Sequence, residues 1–71
     1  MKQTLTINGK PQEFDPAAMP DTLAALLDHL QVDQAIVVAE IDGNIVRRTD
    51  FAETKLTEGQ SIELIRFVGG G

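Results

Sequence analysis

The 71-residue sequence contains no cysteine. That excludes disulfide staples, thiolate zinc sites, iron–sulfur clusters and any cysteine nucleophile or persulfide, and a reducing compartment fits. Positive charge is scarce: six lysines and arginines stand against eleven acidic residues, a net charge of -5. An acidic chain without basic, aromatic-laced patches is a poor partner for nucleic acid, where affinity comes mainly from neutralised phosphates. No apolar run approaches the ~20 residues that cross a bilayer. The opening Met1-Lys2-Gln3-Thr4 turns polar at once, unlike a signal peptide. The expectation is a cytoplasmic protein with neither a nucleic-acid nor a membrane partner. Its length allows a single domain that buries roughly 60% of its unfolded surface, with little room for a deep substrate pocket.

Catalytic groups are also few. His29 is the single histidine, and its position late in a helical pattern reads as a surface or partly packed side chain. Asp28 beside it points about 100° away around the helix, so the two do not make a metal pair. Ser61 is the single serine and lacks a nucleophile-elbow context. Gly9, Gly43 and Gly59 each sit in a turn rather than in a phosphate loop. Nothing assembles an acid, a base and a nucleophile. The chain reads as a non-enzyme with no metal site and no cofactor of its own.

The patterning describes a small α+β domain. Thr4 to Ile7 alternates as a half-buried strand, and Asn8-Gly9 is a strong hairpin signal before a return strand, Lys10 to Phe14. Leu23, Leu26, Leu27 and Leu30 form one helical stripe, with Asp21 or Thr22 as N-cap. Ile36 to Ile41 is a buried strand rich in β-branched residues, Asp42-Gly43-Asn44 a turn, and Ile45 to Arg48 a return strand. Thr49 to Thr57 has no period and reads as a loop with a short turn around Asp50-Phe51-Ala52. Ser61 to Val68 is a last strand. The expected core is Leu5, Ile7, Leu23, Leu26, Leu27, Leu30, Ile62 and Leu64. A single amphipathic helix needs a sheet to cover. The economical arrangement is the β-grasp: a mixed sheet with the helix across one face and the first and last strands as central neighbours. The domain spans residues 1–68, followed by a flexible tail, 69–71.

That tail, Gly69-Gly70-Gly71, follows a strong strand without a polar spacer. Three consecutive glycines at a given place arise by chance in roughly one chain in 3,000. Counted from Val68, four residues extend at most ~14 Å. A thread without side chains suits a narrow channel into another protein's active site, where its one chemical group is the α-carboxylate of Gly71. A carboxylate is a poor electrophile; reaction with ATP makes it an acyl-adenylate that sulfur or an amine can attack. In a chain without cysteine, any sulfur carried must sit on that terminus as a thiocarboxylate. Just before the tail, Ile65 and Phe67 alternate away from Ile62 and Leu64, onto the face without a helix. They are either covered by the loop containing Phe51 or form a partner-docking patch. The acidic balance suggests a basic rim on that partner. Arg66 alternates back to the helix side.

Together these segments resemble the ThiS family, the ubiquitin-like sulfur carriers of thiamine thiazole biosynthesis. The similar stretches are Asp42-Gly43-Asn44-Ile45-Val46-Arg47-Arg48, Phe51-Ala52-Glu53-Thr54 with Leu56, Glu58-Gly59-Gln60-Ser61-Ile62-Glu63, and Phe67-Val68-Gly69-Gly70-Gly71. Arg47 stands where the family usually has proline, Phe51 where it has tryptophan, and Gln60 where it has aspartate. The related molybdopterin-synthase small subunit tends to approach its glycines through a proline, which Arg66-Phe67-Val68 lacks. The resemblance implies a cycle. A ubiquitin-activating-type adenylyltransferase, using ATP and magnesium, adenylates Gly71. A sulfur donor such as a cysteine desulfurase supplies the thiocarboxylate sulfur, and thiazole synthase accepts it. Carriers for molybdopterin, tRNA thiolation or cysteine synthesis, and ubiquitin-like protein modifiers, use the same tail and stay open at this point.

Overall fold

A computed structural model describes residues 1–67; Val68 and the expected tail, Gly69 to Gly71, lie outside the described residues. Five strands and one α-helix follow in the order β1 (Gln3–Ile7), β2 (Lys10–Phe14), α1 (Leu23–His29), β3 (Val37–Ile41), β4 (Asn44–Val46) and β5 (Ser61–Arg66). They make one sheet in the order β2-β1-β5-β3-β4. β1 and β5 pair parallel, Ile7 opposite Ile62, as central neighbours. The other three pairings are antiparallel. This is the mixed, helix-covered sheet of the β-grasp fold.

Two tight turns set the registers. Asn8 and Gly9 both have positive φ, 52° and 80°, as do Asp42 and Gly43, 51° and 85°. Paired left-handed residues match the twist of a two-residue hairpin, and asparagine, aspartate and glycine tolerate that region best. Each turn also clips β5 with a side chain. Asp42 Oδ1 accepts the Ser61 N–H at 2.9 Å, and Asn8 Oδ1 accepts the Leu64 N–H at 2.7 Å.

Thr22 is the N-cap of α1: its hydroxyl oxygen accepts from the Ala25 N–H at 3.1 Å. Asp21 instead pairs through its carboxylate with Lys55, and its carbonyl accepts the Leu56 N–H. The Leu23 N–H donates to Thr54 O, so the start of the helix is stapled to the segment before β5. The helix is only about two turns long. Its stability comes from burying Leu23, Leu26 and Leu27 completely on the sheet, each worth about 1.5–3 kcal/mol.

Leu5, Ile7 and Ile62 complete the expected centre of the core. Leu30 and Leu64 are only partly buried. The chain enters the left-handed region at Gln31, φ 59°, so α1 ends before it covers the far part of the sheet. Phe14, Val37, Ala39, Ile41, Phe51 and Leu56 join the core as well. The segment expected to be a loop contains a 3₁₀ helix, Arg48–Glu53, and the return strand stops at Val46 instead of running to Arg48. This 3₁₀ helix packs against α1 and drives Phe51 into the core, 1% exposed.

Candidate functional site

β5 carries Ile65 and leads to Phe67, the two expected docking residues, and its alternation can be followed across the sheet. Ile62, Leu64 and Arg66 stand in register with Ile41, Ala39 and Val37, the buried face of β3. Glu63 and Ile65 stand opposite Glu40 and Val38 on the other face. No described helix covers that second face. Ile65 is 51% exposed and Phe67 48% exposed.

The loop does not cover this pair, because Phe51 is committed to the core under α1. Phe67 is nevertheless held at its backbone, its N–H donating to Ile36 O at 3.1 Å. Ile36, the residue just before β3, therefore holds the last described residue.

Sequence reasoning missed two members of this surface. Ile45 is 69% exposed, and the Asp42-Gly43 turn places it opposite Glu40 on the open face. Val38 is partly buried and lies opposite Ile65. With Phe67, Arg48 and an edge of Phe51 they border a shallow depression of about 390 Å³, which Ile65 does not line. The hairpin register was the signal that could have found Ile45: two residues past Gly43, it shares a face with Glu40. Beside the apolar residues, Glu40 and Glu63 sit directly across from each other. Like charges so placed repel, so the strip favours an approaching cation.

The other singled-out residues take structural places. His29 is exposed and meets Phe14 edge-on, ring centroids 5.6 Å apart. Ser61 opens β5 with its N–H bound to Asp42. Gln60 closes its own turn, its Oε1 accepting the Thr57 N–H at 2.8 Å. Among the described residues no cluster of His, Cys, Asp and Glu could hold a metal ion. None of their helices is long and apolar enough to cross a membrane.

A mixed five-stranded sheet with α1 across one face and an apolar open face places the chain in the ubiquitin-like, β-grasp class of proteins. Comparison with known proteins specifies it further. The ThiS family model matches residues 5–71. The sulfur carrier protein ThiS of Bacillus subtilis (strain 168) is 32% identical over 69 residues, covering 94% of this chain and 98% of the relative. The crystal structure of the thiamine biosynthesis protein ThiS from Geobacter metallireducens superimposes with a TM-score of 0.78 at 36% identity, covering 96% of this chain and 99% of that one. A solution structure of a thiamine biosynthesis protein from the same organism gives 0.76 at 38% identity, covering 96% and 87%. A thiazole synthase of Paramagnetospirillum magneticum is 37% identical over 67 residues; the match takes in 94% of this chain but only 20% of that protein's length. The chain belongs to the ThiS family, whose members are small sulfur carriers rather than enzymes.

Proposed function

We propose that this chain carries sulfur for the thiazole of thiamine as a thiocarboxylate on Gly71, the terminal residue of the working carrier. The observation that carries this reading is the reach of the family match, which runs from the sheet through Gly69, Gly70 and Gly71. The likeness to a thiazole synthase over one domain-sized segment supports thiazole synthase as the acceptor.

The chemistry follows from what a carboxylate needs. An adenylyltransferase of the ubiquitin-activating type binds magnesium-ATP, and a Gly71 oxygen attacks the α-phosphorus. Pyrophosphate leaves, and the carboxylate has become an acyl-adenylate. The terminal sulfur of a persulfide, supplied by a donor such as a cysteine desulfurase, then attacks the carbonyl and AMP leaves. A second thiol cleaves the resulting acyl disulfide and releases the thiocarboxylate. Thiazole synthase takes the sulfur, and Gly71 returns as a carboxylate. This chain contributes no acid, base or metal to these steps. It delivers one reactive group to successive active sites.

Delivery needs a grip and a thread. Gly69 and Gly70 are the thread, since a residue without Cβ passes a channel that side chains would block. Ile65 and Phe67 are the grip, with Val38 and Ile45 around them. Exposed apolar clusters ringed by charge mark interfaces. The Glu40–Glu63 pair calls for a basic rim on the partner, so association weakens as salt rises. Activating enzyme and acceptor use the same patch in turn and therefore compete.

The test is intact-mass spectrometry after incubation with the activating enzyme, ATP and a persulfide donor. The carrier reading expects the free protein to gain the mass of one sulfur-for-oxygen exchange. A ladder of adducts joined to lysines of other proteins would make it a modifier instead. Thiocarboxylate that forms but is refused by thiazole synthase would assign it to a different pathway.

A further inference from the structure

β5 is paired along its full length on one side and only partly on the other. Its ladder to β3 runs from Ile62 to Arg66. The bonds from Asp42 N–H to Ser61 O and from Phe67 N–H to Ile36 O set its phase: odd-numbered residues aim their backbone groups at β3. Even-numbered residues aim theirs at β1. But β1 pairs only with Ser61 and Ile62 before it turns away at Asn8-Gly9. Ile62 O accepts the Asn8 N–H at 2.9 Å, and the Leu64 N–H is taken by the Asn8 side chain. Beyond that point the Leu64 carbonyl and both backbone groups of Arg66 have no hydrogen-bond partner among the described residues. Three such groups in strand conformation are an open edge of the kind that accepts an added strand.

A groove of about 590 Å³ adjoins this edge on the helix side of the sheet. It exists because α1 ends early and leaves part of the sheet bare. Leu30, Val32, Val37 and Leu64 line it, and Lys10 and Arg66 border it. Neither cation is in an ion pair among the described residues. In a chain of net charge -5, this is a local positive site.

We propose that the Leu64–Arg66 edge receives an extended segment of the acceptor protein. That segment pairs as an added strand, places an apolar side chain in the groove, and sets a carboxylate against Lys10 and Arg66. The proposal rests on the carrier reading. An acceptor must hold this end of β5 to draw in Gly69–Gly71, and a strand bonded at Arg66 aligns the chain just before the glycines. The contact lies on the opposite side of the sheet from Ile65 and Phe67, so the two grips together clamp β5 from both faces.

The experiment is amide hydrogen exchange of the full chain, alone and with thiazole synthase. In the free protein the Arg66 amide exchanges as an exposed group, while the Ile65 amide, aimed at β3, is protected. In the complex, Arg66 protection rises by about tenfold or more. A synthetic chain with an ester in place of the Arg66 amide loses that N–H and also weakens the Ile65 carbonyl that faces β3, so its melting temperature falls slightly. Measured well below that temperature, it binds the acceptor roughly three- to tenfold more weakly. Lys10→Glu combined with Arg66→Glu weakens binding further. An Arg66 amide left unprotected in a complex that still transfers sulfur would overturn the edge and leave the carrier reading intact. Absence of any complex and of sulfur transfer would remove the carrier reading and the edge with it. Protection that grows with the free protein's own concentration would name a second copy. Protection seen only with the activating enzyme would name that protein. Either overturns the acceptor as occupant.

Discussion

The side-chain oxygen of Asn8 accepts the backbone N–H of Leu64 at 2.7 Å, joining the first hairpin turn to a residue 56 positions later. It extends the β1–β5 contact by one bond just where the β1 backbone turns away. The same residue must adopt a left-handed φ of 52°. Asparagine meets both demands: a short side chain that tolerates the backbone, and an acceptor at the right reach.

Asn8→Gly keeps the turn and loses the acceptor. It is expected to cost about 0.5–1.5 kcal/mol, plus the entropy of an added glycine. Asn8→Ala loses the acceptor and strains the turn, and should cost more. Denaturant melts measure both, and exchange of the Leu64 amide should quicken in each. Unchanged exchange at Leu64 would show that the bond contributes nothing.

Burial orders the core substitutions. Leu26 is fully buried, so Leu26→Ala should cost about 2–5 kcal/mol, and Phe51→Ala about 3–5. Either is a large part of a stability of ~5–15 kcal/mol. Leu30→Ala and Leu64→Ala, at the groove, should cost clearly less. A Leu26→Ala change below about 1 kcal/mol would mean that the helix is phased wrongly.

Docking is separable from folding. Ile65→Asp on the open face should leave the melting temperature nearly unchanged, since surface changes stay within about 0.5 kcal/mol. It should weaken complexes with both the activating enzyme and thiazole synthase. Calorimetric titration against each protein checks this. Unchanged affinity for both would remove the open face from the account.

Activation should require Gly70 and Gly71, and the folded core should be indifferent to them. Deleting Gly71, or Gly70→Trp, should abolish ATP–pyrophosphate exchange by the activating enzyme at an unaltered melting temperature. A Gly70→Trp carrier that is activated normally would end the threading idea.

Much of this architecture is readable before any coordinates. Asn8-Gly9 and Asp42-Gly43 announce their hairpins because few residues accept two consecutive positive φ angles. The leucine stripe announces α1 because 3.6-residue periodicity survives even in seven residues. Alternation along β5 places Ile65 and Phe67 on the open face. Phe51 escaped because a 3₁₀ turn repeats every three residues and is too short to build a stripe. Phe14 and Leu56 escaped because each is a lone apolar residue whose burial is decided by distant partners. Leu30 was overrated because the pattern shows which way a leucine points, and not where the sheet beneath it ends. The open edge at Arg66 was invisible for a related reason: it depends on how soon β1 turns away.

The most direct test of the whole account follows the sulfur itself. Carrier loaded with isotopically labelled sulfur is mixed with thiazole synthase and its small-molecule substrates, and both the thiazole product and the intact carrier are weighed. The account predicts label in the thiazole ring and a carrier returned to its carboxylate mass. Unlabelled thiazole, with the label still on Gly71 or released as sulfide, would contradict it.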